Sequence, residues 1–117
     1  MTGVCQKIDT ISVVANRVAP LIALADPTRR AIFEALPGGP RSVGELAAHV
    51  GISSSAVSQH LRVLRDARLV MMRPVGNRHL YSLDPRGLGD ARDYLEQFWQ
   101  SALAAYAAAL SDASEQA

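Results

Sequence analysis

The stretch from Ser53 to Ala67 gathers side chains whose hydrogen bonds are directional: Ser53, Ser54, Ser55, Ser58, Gln59, Arg62 and Arg65. On a wheel of about 100° per residue with Val57 at zero, Leu61, Leu64 and Arg68 fall within about 40° of it, and Ser55, Ser58, Gln59 and Arg62 lie roughly opposite. One face is therefore expected to pack while the other meets a partner. A guanidinium can bond the O6 and N7 of guanine, a carboxamide can pair with adenine, and short serines let a backbone approach, which is the chemistry a major groove asks for. Ser53 and Ser54 leave helix N-terminal amides for a phosphate, and Arg65, off to one side, suits the sugar-phosphate chain.

Charge supports this reading locally and not globally. The formal net charge is only +1, yet Ser53 to Leu83 holds Arg62, Arg65, Arg68, Arg73 and Arg78 with His60 and His79 against one acid, Asp66. It is the local distribution that sets the field a phosphate meets. Arg73, Arg78 and His79 lie just beyond the arginine-rich stretch and extend the same basic surface.

These residues need elements to hold them. Apolar residues Ile8, Ile11, Val14, Val18, Leu21 and Ile22 recur at helical spacing, with Pro20 either kinking that helix or opening a second one. Asp26-Pro27 reads as an N-cap followed by a proline at the first helical position, starting a helix that turns Ile32, Phe33 and Leu36 inward and ends at Pro37-Gly38-Gly39-Pro40. Ser42-Val43-Gly44-Glu45 has the form of a capping box, and its helix runs to about Val50. Gly51 suits a turn of positive φ, and Ser53 or Ser54 can cap the helix that reaches about Ala67. Two short helices joined by a glycine turn, 42–67, make a helix-turn-helix. Extended runs Leu69–Arg73 and Arg78–Leu83, joined through Pro74-Val75-Gly76-Asn77, make a β-hairpin or wing over 69–83. Asp84-Pro85 opens a last helix bearing Leu88, Tyr94, Leu95, Phe98, Trp99, Ala102, Leu103, Tyr106 and Leu110, a face too broad for one domain to cover. A frayed tail is expected over 111–117. The whole, 1–117, is expected to be one mainly α domain with a small hairpin, a winged helix-turn-helix.

The remaining chemistry is sparse. There is no nucleophile with a supporting base, no phosphate-cradling glycine loop and no cluster of metal ligands, so an enzyme is not expected. Cys5 is the lone cysteine and reads as an incidental thiol, with only Lys7 nearby to lower its pKa. His60 is expected to cover the edge of the core, and His49 to sit near a helix C-terminus where the dipole favours a cation. His79 either touches DNA or faces water. Arg29 and Arg30 occupy a first turn, a poor place for cations, and so should answer a phosphate or an acid on the partner. No segment reads as a signal peptide or a membrane span, and the cytoplasm is the expected location.

Leu24-Ala25-Asp26-Pro27-Thr28-Arg29-Arg30, Val57-Ser58-Gln59-His60-Leu61 and Leu69-Val70 before a hairpin containing Gly76 resemble the ArsR/SmtB-type repressors over about Leu21 to Leu83. The resemblance implies an elongated homodimer pairing first and last helices through Ile11, Val14, Val18, Tyr94, Leu95, Phe98, Trp99, Ala102, Leu103 and Tyr106. It also implies double-stranded operator DNA as partner, with autoregulatory repression relieved by an inducer, small molecule or protein. A two-fold dimer implies an inverted-repeat operator. Members that sense metals carry cysteines before the turn or Asp, His and Glu ligands along the last helix. Here Glu45-Leu46-Ala47-Ala48-His49 has no thiol and Pro85 to Leu110 has no histidine, so neither a metal nor another cofactor is expected. Two alternatives stay open: a metal- or thiol-responsive sensor of the same fold, and a helical interaction module that does not bind DNA.

Overall fold

A computed structural model of the chain describes residues 17–116. Ile11, Val14 and Cys5 lie outside the described residues. Helix α1, residues 17–25, runs without interruption through a fully buried Pro20. Helix α2, Pro27–Glu34, starts as expected: the Asp26 carboxylate accepts the Arg29 amide at 3.3 Å, with Pro27 at the first helical position. It stops at Ala35, three residues before the glycines, and Leu36 is buried just beyond it.

Strand β1, Arg41–Ser42, leads directly into α3, Val43–Val50, through the capping box of Ser42 and Glu45. Gly51 closes α3 at φ 83°, in the left-handed region that a side chain resists. Ser53 caps α4, Ser54–Asp66, by accepting the Ala56 amide at 3.1 Å. The wing is β2, Val70–Val75, and β3, Arg78–Leu83, with α5, Pro85–Gln116, after it.

The sheet has three strands in the order β1-β3-β2, all antiparallel. Two residues, Arg41 and Ser42, are too few to carry an alternating pattern, so only their pairing with Tyr81 and Leu80 reveals β1. The wing turn is also tighter than expected. It consists of Gly76-Asn77 alone, with Gly76 at φ 61°, a two-residue hairpin with glycine first. Pro74 thus falls inside β2, tolerable because β2 is an edge strand.

The core joins Ile32 and Leu36 to Leu46, to Val57, Leu61 and Leu64, and to Leu69, Val70 and Tyr81. Burying each large apolar side chain is worth roughly 1.5–3 kcal/mol, which fixes the rotation of α4 about its axis. Arg68 is a correction to the wheel. The helix ends before it, it adopts φ 58°, and its exposed side chain pairs with Asp90 of α5. The C-terminal end is a second correction. Helical conformation continues through Gln116, past the expected fraying point at Ser111, because alanine-rich sequence without proline or glycine offers no stop.

Helix α5 touches the body mainly by its first two turns. Asp84, almost wholly buried, accepts the Arg86 amide and binds its guanidinium through both carboxylate oxygens at 2.7–3.1 Å. The Gly87 amide donates to the Arg68 carbonyl at 2.8 Å. Ala91 is the buried apolar residue of this helix, while Leu88, Leu95, Phe98, Trp99, Leu103, Tyr106 and Leu110 are exposed. Of the other expected interface residues, Tyr94, Ala102 and Val18 are half-buried.

Candidate nucleic-acid interface

Val57, Leu61 and Leu64 are fully buried, so the opposite side of α4 is obliged to face out. Ser53, Ser54, Ser55, Ser58, Gln59, Arg62 and Arg65 are all exposed. The Ser53 hydroxyl is occupied in capping, which leaves the amides of the first turn, rather than that side chain, to meet an anion.

The ladder register sorts the wing. Val70 pairs with Leu83, Met72 with Tyr81 and Pro74 with His79, so these share the face that holds the core. Arg73 pairs with Leu80 and Val75 with Arg78, which puts both arginines on the other face, together with Ser42 of β1. His79 therefore stands apart from Arg73 and Arg78, although all three are exposed. Alternation along β3 alone separates His79 from Arg78, while the register set by the turn is what places Arg73 with Arg78.

Arg78 has a partner that the sequence did not announce. Its guanidinium lies 2.5 Å from the Glu45 carboxylate, the same oxygen that accepts from the Ser42 hydroxyl at 3.0 Å and from the Ser42 amide at 3.4 Å. The Glu45 carboxyl is held below its ordinary value, first by the Ser42 hydroxyl, then by the Ser42 amide, with Arg78 adding to both.

Arg29, Arg41 and His60 have structural work. Arg29 donates from Nε to the Ala23 carbonyl at 2.7 Å, and its guanidinium lies 3.6 Å from Asp26. Its place in the first turn of α2 is thus also a place at the end of α1, where carbonyls want a cation. Arg41 does the same for α2 through the Ala35 carbonyl at 2.8 Å. His60, at the edge of the core as expected, puts Nδ1 3.7 Å from Asp26. Arg30 is exposed, and so is His49 in the last turn of α3.

A helix-turn-helix domain family profile matches residues 24–73, the segment from the end of α1 into β2. The HTH-type transcriptional regulator Rv2034 of Mycobacterium tuberculosis is 58% identical over 85 residues, covering 73% of this chain and 79% of that protein. The transcriptional repressor SdpR of Bacillus subtilis is 36% identical over 76 residues, 65% of this chain and 84% of its own length. The chain belongs to the ArsR/SmtB family of transcriptional regulators. As an ArsR/SmtB-type regulator it shares its fold with the homodimeric winged helix-turn-helix domain Mb0332 of Mycobacterium bovis, at TM-score 0.58 and 26% identity over 83% of this chain and 84% of that one. No helix among the described residues is long and apolar enough to cross a membrane.

Proposed function

We propose that the protein is a homodimeric repressor that binds an inverted-repeat operator, its own promoter included, and leaves it when an inducer binds. Gln59 and Arg62 read base edges in the major groove while Ser55 and Ser58 allow the helix to approach. The amides at Ser53 and Ser54, with Arg65, Arg73 and Arg78, hold phosphates, and His79 extends the wing on its other face. The observation that carries this reading is the exposed polar face of α4, fixed outward by the burial of Val57, Leu61 and Leu64.

The second copy covers α5. Phe98, Trp99 and Tyr106 are 60%, 61% and 70% exposed, and an open groove of about 1350 Å³ runs between Leu21 and the Pro85–Trp99 stretch. So large an apolar surface is a liability on a lone chain. The family relative Mb0332 is described as homodimeric, which supports the same assembly here. Ile11, Val14 and Val18 complete the interface with Tyr94, Leu95, Ala102 and Leu103. In this reading the inducer is not a metal ion, which the separation of His49, His60 and His79 on α3, α4 and β3 among the described residues supports. The protein works in the cytoplasm, beside its DNA.

Selection of bound duplexes from a randomised library, followed by footprinting on the gene's own promoter, tests the proposal. Enrichment of an inverted repeat with half-sites about one helical turn apart, or a multiple of it, is expected. Enrichment of no sequence would remove base reading by α4.

A further inference from the structure

One of the two wing arginines, Arg78, is already paired with a carboxylate. Arg78 and Glu45 are 62% and 45% exposed, and their contact ties the tip of β3 to the first turn of α3. The register puts Arg78, Arg73 and Ser42 on one face, so the pair lies on the side from which phosphates are approached. In a helix-turn-helix the first of the two helices crosses the DNA backbone, and here that helix begins at Glu45's own turn.

Two features make the carboxylate more than a cap. A glutamine at the third helical position closes the same box, so the cap does not require a charge. Ser42 also donates twice to the Glu45 oxygen that meets Arg78, which pins the anion in place instead of leaving it to swing away. An exposed ion pair is weak, so a phosphate can take the arginine from it, but the carboxylate left behind then faces the DNA.

We propose that Glu45 is an internal competitor for the DNA phosphate that Arg78 would bind, holding down the affinity of the repressor for DNA of any sequence. This rests on the reading of the wing as a DNA contact. Counting charge at this one place, the wild type carries zero, Glu45→Gln carries plus one, Arg78→Ala carries minus one, and the double variant returns to zero. Phosphates carry no base information, so the effect is the same on all duplexes. The consequence for regulation is that operator preference comes from α4 alone, while weak general binding keeps the protein free to leave.

The test measures affinity for a random-sequence duplex across salt for the four proteins, with circular dichroism to show that the helices persist. The expected order is Glu45→Gln tightest, wild type and double variant alike, and Arg78→Ala weakest. Glu45→Gln should bind on the order of tenfold more tightly in a dimer with two such pairs. Its slope of log affinity against log salt should steepen by about two, one phosphate per protomer. Should the glutamine protein not fold, Glu45→Ala carries the same charge change and keeps the Ser42 cap. A folded Glu45→Gln protein that binds as wild type, or more weakly, overturns the competitor role, while a weakened Arg78→Ala keeps the wing reading. No loss in Arg78→Ala on either background overturns both.

Discussion

Replacing Gly87 with alanine should cost stability even though alanine is the better helix former. An added Cβ would lie 2.4 Å from the Ala67 carbonyl oxygen, 2.5 Å from that of Arg68 and 2.7 Å from the Arg68 carbonyl carbon. All three are backbone atoms at the end of α4, so no side chain can rotate out of the way. Forcing the helices apart costs about 1–3 kcal/mol as overpacking. It also breaks the hydrogen bond that the Gly87 amide donates to the Arg68 carbonyl, about 0.5–1.5 kcal/mol. The gain in backbone propensity returns about 0.5–1 kcal/mol. The net loss centres near 2 kcal/mol, a fall of about 8 °C in Tm at about 4 °C per kcal/mol for a chain of this size. Thermal melting at one fixed protomer concentration measures it, since assembly makes Tm concentration-dependent. Gly44→Ala is the comparison. It is exposed, with only the Ser42 hydroxyl 4.0 Å from its Cβ position, and should gain about 0.4–1 kcal/mol. A Gly87→Ala protein melting at or above the wild type would refute the close approach of α5 to the end of α4.

Arg62→Ala should weaken binding to the selected operator by about 1–3 kcal/mol and relax preference at one base pair per half-site, read by comparing its selected sequences with those of the wild type. Unchanged preference would show that Arg62 does not read a base. Trp99→Glu should turn the protein monomeric at micromolar concentration by sedimentation and lower operator affinity with it; a variant that stays dimeric would move the interface off this face of α5. The Asp84 carboxyl is held low, chiefly by hydrogen bonds from the Arg86 guanidinium, against the opposing effect of burial. A carboxyl depressed in the fold stabilises above its unfolded pKa of about 3.9, and this is lost as pH falls through the lower folded value. Asp84→Asn should therefore flatten the acid limb of stability below about pH 4, and a limb as steep as the wild type's would deny Asp84 that part.

What the chain wrote into its own sequence is what short-range physics decides. Asp26-Pro27, Ser42 with Glu45, Gly51 and Ser53 each satisfy or relieve backbone groups within a few residues, so their roles follow from type and spacing. The outward polar face of α4 was legible for the same reason, since Val57, Leu61 and Leu64 recur with the helical period and leave Gln59 and Arg62 exposed on the other side. Tertiary structure decided whatever needs two distant segments in one place. The dipeptide Arg41-Ser42 becomes a strand only because β3 offers a free edge, and Gly87 is required only because α5 leaves over the end of α4. Arg29 serves α1 from within α2, and His60 reaches Asp26 across the core edge. Arg78 looked like a free phosphate anchor along the chain, and it is the fold that sets Glu45, 33 residues earlier, against its guanidinium. Charge acts through space, so the order of residues could give Arg78 its sign but not its partner.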